Sequence, residues 1–380
     1  MTSIYVVAGA RPNFMKVAPI LRAFANRETP FTLKLVHTGQ HYDDAMSDVF
    51  FEQLRIPRPD VHLGVGAGSH GAQTARVLEK FESLLLADRA NVAGVIVVGD
   101  VNSTVACTLA AVKLGVPVAH VEAGLRSFDR SMPEEINRIV TDSISDLLLI
   151  TEESGRENLL REGVAESRIA FVGNVMIDTL FAELETAKRL ELWKTMALTP
   201  RNYLLVTLHR PSNVDDRATL ERLVDLLVDV ARRMPLVFPV HPRTRQRLEE
   251  FGSMSKLAAS DGIHLVEPLG YHETLSLSSN AAAVLTDSGG IQEETSVLGV
   301  PCLTLRPNTE RPVTITAGTN TLIRDELERI PALIDDVMAG RYKKGGTIPL
   351  WDGKAAERVV NVLTRAWSPA RAATIPKETR

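Results

Sequence analysis

The chain has 380 residues, with 43 Lys and Arg against 47 Asp and Glu for a formal net charge of −4, and a mean hydropathy of zero. That length suits two α/β domains better than one core, and the even spread of charge leaves no basic stripe for nucleic acid. No apolar run approaches the roughly 20 residues that span a bilayer, and the first residues do not read as a signal peptide, so the expectation is a cytoplasmic protein.

Short β-branched runs alternate with helical patterns through the first half. Residues 3–8, 32–37, 92–98, 116–121 and 147–151 read as buried strands, and 13–26, 72–86, 104–114, 134–145 and 153–161 as helices. A second series follows, with strands at 203–208, 236–240, 262–266, 282–286 and 301–305. This alternation predicts parallel, doubly wound sheets. The chain therefore divides into two Rossmann-like domains, 1–173 and 174–352. A last helix from about 353 repeats Val359, Val360, Leu363 and Trp367 on one face, and residues 353–380 are expected to complete the first domain. The tail from Ser368 reads as frayed. Cys107 and Cys302 lie far apart in apolar segments and read as reduced core thiols.

In such sheets ligands bind beyond the carboxyl ends of the strands, so the residues just after each strand carry the information. The first strand ends in Gly9-Ala10-Arg11-Pro12-Asn13, with Lys16 in the helix that follows. Arg11 and Lys16 then stand near a helix start that favours a phosphate, or else are surface cations. Val98-Gly99-Asp100 closes another strand, and Asp100 reads either as the N-cap of the next helix or as a reactive carboxylate. His120-Val121-Glu122-Ala123-Gly124 puts a carboxylate at the end of an apolar strand, where it is costly unless used or paired. Pro133-Glu134-Glu135-Ile136-Asn137-Arg138 suits a helix start. Asp100, Glu122 and Glu134 together read as an acid/base cluster, since crowded carboxylates drive one another's proton affinities apart.

In the second half, Thr207-Leu208-His209-Arg210 and Pro239-Val240-His241-Pro242 end strands. A strand-end His followed by Arg suits a negatively charged leaving group, against a purely structural reading for either His. Thr286-Asp287-Ser288-Gly289-Gly290-Ile291-Gln292-Glu293-Glu294 runs from a strand through Ser-Gly-Gly into a helix. Its free backbone N–H groups suit a diphosphate, and Glu294, one turn in, suits a ribose diol. Arg306 and Arg311 add cations just downstream. Gly66-Ala67-Gly68-Ser69-His70-Gly71 matches a dinucleotide pattern but follows no first strand, and is read as a glycine loop. No Walker A, H-E-x-x-H or C-x-x-C pattern occurs, so neither metal nor redox cofactor is indicated.

Taken together and in order, Gly9-Ala10-Arg11-Pro12, Gly99-Asp100, His120 to Arg126, Pro133 to Arg138, His209-Arg210, Thr286 to Glu294 and Glu310-Arg311-Pro312 resemble the non-hydrolysing bacterial UDP-N-acetylglucosamine 2-epimerases. The resemblance covers nearly the whole chain. It implies the glycosyltransferase type B architecture with the active site in the interdomain cleft, a homodimer, and interconversion of UDP-GlcNAc and UDP-ManNAc. By the same resemblance Asp100, Glu122 and Glu134 are acid/base groups, and His209 steadies departing UDP. Arg11, Lys16 and Arg138 would line the sugar-diphosphate site, while Ser288, Gly289, Gly290, Glu294 and Arg311 hold UDP. An activating second UDP-GlcNAc would use Gln40, His41, Arg210 and His241.

Two segments depart from that pattern. Pro211-Ser212-Asn213 stands where many relatives have Arg-Glu-Asn, and Asp43 and Ser69-His70-Gly71 differ in the activator region. A modified sugar such as UDP-2,3-diacetamido-glucuronic acid is therefore an alternative substrate. A glycosyltransferase would share the fold, but the apolar membrane-facing patch common in such enzymes is missing from the sequence. The proton on C2 is not beside a carbonyl, so its removal must be coupled to loss of UDP from C1, giving a 2-acetamidoglucal to which UDP adds back. That route needs a base, an acid and cations at the diphosphate, and no redox cofactor.

Overall fold

The protein is described here by a computed structural model covering residues 2–40, 51 and 53–368. The chain forms two compact units, one of residues up to Thr179 together with those from Pro349, the other Leu180–Ile348. Each is a parallel sheet flanked by helices.

Unit one holds β1 (Thr2–Ala8), β2 (Phe31–His37), β3 (Val61–His62), β4 (Val92–Val98), β5 (Val118–Ala123), β6 (Leu147–Ile150) and β7 (Ile169–Phe171) in the order β3-β2-β1-β4-β5-β6-β7. The helices that matter for the site are α1 (Arg11–Ala25), α2 (His70–Ala87), α3 (Asn102–Lys113), α4 (Pro133–Ile144) and α5 (Val175–Leu190). Tyr5, Val7, Val95, Val97 and Val118 from the strands pack on Phe81, Leu85 and Cys107 from the helices. Strands covered on both faces explain the unbroken apolar runs in the sequence. Cys107 and Cys302 are buried and free.

Unit two holds β8 (Leu204–Thr207), β9 (Leu236–Pro239), β10 (Ile263–Val266), β11 (Ala283–Thr286), β12 (Cys302–Thr304) and β13 (Asn320–Leu322) in the order β10-β9-β8-β11-β12-β13. Its site-bearing helices are α6 (Pro242–Glu250), α7 (Tyr271–Asn280) and α8 (Gly289–Leu298). Both sheets thus reverse their winding at one place, between β1 and β4 and between β8 and β11. These are the switch points where ligands bind in open α/β sheets. Two Rossmann-like units in one chain are the makeup of the glycosyltransferase type B fold.

The structure adds three strands that the sequence does not announce: β3, β7 and β13. Each has two or three residues, too few for a periodic pattern to register. The change of unit falls inside α5 rather than at residue 174. Thr179 Oγ1 donates to Met15 O at 2.6 Å, and Asp178 accepts from Ala355 N and Ala356 N at 3.0 and 2.7 Å. Those bonds fasten the first turn of α5 to α1 and to the last helix, α9 (Ala355–Trp367). At its far end α9 lays the Trp367 ring on Gly94 of β4, where a Cβ would come within 2.6 Å of the ring.

Asp178 caps a helix start with two backbone donors. Asp178→Ala should cost about 1–2 kcal/mol and should speed amide hydrogen exchange in residues 355–367. Unchanged exchange there would show that the cap does not hold the helix.

Candidate active site

At the switch point of unit one, Asn13 joins the two strand ends. Its Oδ1 accepts from Gly9 N and Ala10 N, both at 3.0 Å, and its Nδ2 donates to Val98 O at 3.2 Å. This leaves α1 starting at the sheet's edge and points Lys16, one turn in, towards the end of β5. Lys16 Nζ and Glu122 Oε2 form a buried ion pair. Gly99 has a φ of +67°, and a Cβ there would lie 2.9 Å from Lys16 Nζ and 3.4 Å from Glu122 Oε2. Only glycine suits both the left-handed backbone and the close ammonium.

Strand alternation is not what aims Glu122. The pairing of β5 with β6 slips between Val121 and Ala123, and Glu122 takes a φ of +75°. A bulge that puts a glutamate in the left-handed region is costly and is found where a side chain must be re-aimed. The bulge is braced from beneath. His120 Nδ1 lies 2.6 Å from Asp142 Oδ1 and His120 Nε2 lies 2.7 Å from Gly99 O. Asp142 Oδ2 accepts from Gly124 N at 3.0 Å and from Arg126 Nη1 at 2.7 Å. Burial raises the proton affinity of Asp142, but His120 and Arg126 outweigh it and hold the carboxyl below its usual range.

Asp100 does not cap α3. The cap position is Val101 and the helix begins at Asn102, which leaves the Asp100 carboxylate to pair with Arg138 Nη1. The buried Arg138 also donates to Glu135 Oε2 from Nε at 3.0 Å and from Nη2 at 2.6 Å. Glu135 in turn accepts from Ser127 N and Phe128 N at 3.0 and 2.9 Å, fixing the turn before α4. Asp100 and the exposed Glu134 line one pocket of about 290 Å³, with Gln40, Gly68, His70, Asn102 and Asn137 among its walls. Glu122 is not in that lining; it belongs to the Lys16 ion pair beside Gly99. The glycine loop is also more than a linker: Ala67, Gly68 and His70 form part of the pocket wall.

In unit two, His209 lies just beyond the end of β8 and Asp287 just beyond the end of its neighbour β11. His209 Nδ1 lies 2.8 Å from Asp287 Oδ1; the imidazole is 41% exposed and the carboxylate is fully buried. Asp287 Oδ2 also accepts from His209 N and Arg210 N, both at 2.9 Å, and from Asn213 Nδ2 at 3.1 Å. Burial works to raise the Asp287 carboxyl, yet the His209 side chain and these backbone donors bring it below the ordinary range. The half-buried Ser288-Gly289-Gly290 leads into α8 with Ser288 at its cap and no side-chain cap bond. The free N–H groups of that first turn suit an anion. Arg311 lies against Gly289 and is anchored by Glu293 at 2.7 Å. Glu294 is buried, with Oε1 accepting from Tyr271 OH at 3.0 Å. Burial pushes its carboxyl up to about 7, with Tyr271 opposing and Glu293 adding to the rise.

The activator residues expected from the resemblance are placed unevenly. Gln40 Oε1 accepts from Ser103 N and Ser103 Oγ at 3.0 and 2.7 Å, so that oxygen serves the start of α3. Arg210 Nε donates to Asp287 O at 3.0 Å. His241 caps α6, its Nδ1 accepting from Arg243 N at 3.2 Å, with its ring 5.7 Å from that of His209. His41 and the Arg11 side chain lie outside the described residues. Among the described residues no group of three or more His, Cys, Asp or Glu suits a metal, and no helix is long and apolar enough to cross a membrane.

Two Rossmann-like units, each with charged side chains gathered at its strand ends, define a protein of the glycosyltransferase type B class. The sequence profile of UDP-N-acetylglucosamine 2-epimerases matches residues 23–364. The UDP-N-acetylglucosamine 2-epimerase of Methanocaldococcus jannaschii is 42% identical over 364 residues, 94% of this chain and 98% of that protein. The UDP-2,3-diacetamido-2,3-dideoxy-D-glucuronate 2-epimerase of Pseudomonas aeruginosa is 38% identical over 373 residues, 95% of this chain and 99% of that one. The crystal structure of the Methanocaldococcus jannaschii enzyme in complex with UDP-GlcNAc and UDP matches with a TM-score of 0.85 at 40% identity, covering 96% of this chain and 99% of that chain. This chain belongs to the UDP-N-acetylglucosamine 2-epimerase family.

Two measurements test the electrostatics. Glu122→Gln leaves a buried ammonium uncompensated and should cost about 3 kcal/mol in urea unfolding. Adding Lys16→Met to it should recover at least ~1 kcal/mol of that loss, whereas strictly additive costs would mean the pair is uncoupled. Glu294 is raised above its unfolded value of 4.5, so the folded protein holds this proton more tightly than the unfolded chain does. Its contribution is therefore most favourable below pH 4.5 and declines as pH rises towards 7, by on the order of 3 kcal/mol in all. Glu294→Gln should match the wild-type melting temperature near pH 5 and exceed it above pH 7, in the absence of nucleotide.

Proposed function

We propose that the chain interconverts UDP-GlcNAc and UDP-ManNAc by inverting C2 through elimination and re-addition of UDP. The observation that carries this reading is the set of acid/base groups in unit one: Asp100 and Glu134 on one pocket, and a buried Glu122 paired with Lys16 beside them. One carboxylate removes the C2 proton while the C1–O bond breaks and its electron pair leaves with the diphosphate. A second group returns a proton to the other face of C2, and UDP adds back to C1. Inversion needs groups in different environments, since one carboxylate cannot serve both faces. Unit two supplies the nucleotide grip in this scheme. The Ser288 hydroxyl, the first-turn N–H groups of Gly289 and Gly290 and the Arg311 guanidinium take the diphosphate, Glu294 takes the ribose hydroxyls, and His209 faces the departing oxygen. Lys16 and Arg138 offset charge near the sugar diphosphate, each steadied by its own carboxylate.

The 38% identity to a UDP-2,3-diacetamido-2,3-dideoxy-D-glucuronate 2-epimerase favours one second reading, in which the sugar carries extra substituents. A higher kcat/KM for that substrate than for UDP-GlcNAc would select it.

Proton NMR of the enzyme with UDP-GlcNAc in heavy water is expected to show UDP-ManNAc with deuterium at C2. Oxygen label should scramble between the bridging and non-bridging positions of the diphosphate. Asp100→Asn and Glu134→Gln should lower turnover by roughly 10²–10⁴-fold. Confirmed epimerisation with neither deuterium nor scrambling would rule the elimination route out.

A further inference from the structure

Asp287 sits in the strand-to-helix turn whose serine and glycines were read as the nucleotide grip, yet its side chain points the other way, into the protein. It is fully buried, and what it reaches is the end of the neighbouring strand. The carboxylate takes the His209 imidazole at Nδ1, 2.8 Å away, and the backbone N–H groups of His209 and Arg210. Asn213 holds the same oxygen and donates as well to Leu305 O at 3.0 Å, which fixes the carboxylate's rotation. From this geometry we propose that Asp287 is a positioning residue that holds the His209 proton on Nδ1 and so leaves the exposed Nε2 as the atom that meets substrate.

A buried carboxylate can only accept, so Nδ1 must donate to it. The ring is then locked in rotation as well as in tautomer, because the same carboxylate grips the His209 main chain. The inference rests on the epimerase reading for what Nε2 would do. As C1–O breaks, the electron pair passes to the β-phosphate oxygen, and a ring protonated on both nitrogens shares its Nε2 proton with that oxygen; re-addition of UDP reverses both movements. The positive charge that this ring carries before the bond breaks lies against the Asp287 carboxylate. His241, whose ring centre is 5.7 Å from that of His209, and the Arg210 side chain, bonded to Asp287 O, are the neighbouring charged or titratable groups. Neither occupies the bond from Nδ1 to the carboxylate.

Nitrogen-15 NMR of the wild-type protein, with the His209 signal assigned by its loss in His209→Ala, reads the tautomer directly and needs no turnover. The expected result is a proton on Nδ1 in the neutral ring; a proton on Nε2 alone would overturn the proposal. Turnover supplies the second test. Asp287→Asn should lower kcat roughly 10²-fold, the loss of one misdirected donor, while UDP affinity stays within about threefold. In a His209→Ala background the same substitution should lower kcat by less than about threefold, because its target is gone. Equal losses in both backgrounds would mean that Asp287 acts through the fold and not through His209. If Asp287→Asn does not fold, the tautomer measured in the wild type decides alone. A wild-type protein that fails to epimerise any UDP-sugar would defeat the functional reading and leave the tautomer result standing.

Discussion

Asp142, wholly buried in α4, accepts from His120, from Gly124 N and from Arg126, and the working parts of unit one depend on that one carboxylate. Through His120 it reaches Gly99 O and thus the turn that presents Asp100. Through Gly124 it holds the chain just after Glu122, where the backbone is forced left-handed. Through Arg126, which also pairs with Glu162, it anchors the loop that leads into α4 and Glu134. A charge buried this deeply is tolerable only when its partners are complete. That requirement ties the turns after β4 and β5 and the loop into α4 to one point, and the rigid tie lets a strained glutamate persist at the end of β5.

Unit two repeats the arrangement with different parts. Asp287 is as deeply buried, is likewise held in its ionised range, and also gathers backbone donors from a neighbouring strand end. In unit one Asp142 reaches the strand-end turns through the buried His120 and Arg126, and in unit two the exposed imidazole of His209 stands one bond removed from the hidden aspartate. The hidden group sets direction, and the visible one meets solvent. Glu294 is the contrasting case, a buried carboxyl with one neutral hydroxyl partner and its proton affinity pushed up. Retaining such a group destabilises the empty protein, which fits a side chain whose partners arrive with a ligand.

Much of this was legible in the chain. Apolar runs of five to seven residues alternating with helical periods gave the parallel sheets, and the rule that ligands sit beyond the strand ends singled out Asp100, Glu122, His209 and Ser288. The aspartates at 142 and 287 were not assigned, for a physical reason. Each acts through bonds to residues that are remote in sequence, Asp142 across 22 positions to His120 and Asp287 across 78 to His209. Local pattern carries no trace of such pairings, although Asp287 stood inside the most conspicuous motif of the chain. The Glu122 bulge was hidden for another reason, since a one-residue slip leaves the apolar pattern before it intact. The loop at 66–71 was set aside because its glycines fail a dinucleotide test, a criterion that says nothing about lining a pocket made by other elements.

The return of residues 349–368 to unit one has a consequence for synthesis. Unit two is one continuous stretch and has all its residues as soon as Ile348 has left the ribosome. Unit one lacks α9, and the Trp367 ring that lies on β4, until residues 355–367 have followed unit two out. Domains emerging from the ribosome ordinarily fold from the amino end onward. Here the amino-terminal sheet must wait, with the Gly94 surface of its central strand uncovered, while the later domain completes itself. The period of greatest exposure for this protein thus falls after unit two has been made, and on the unit that was made first.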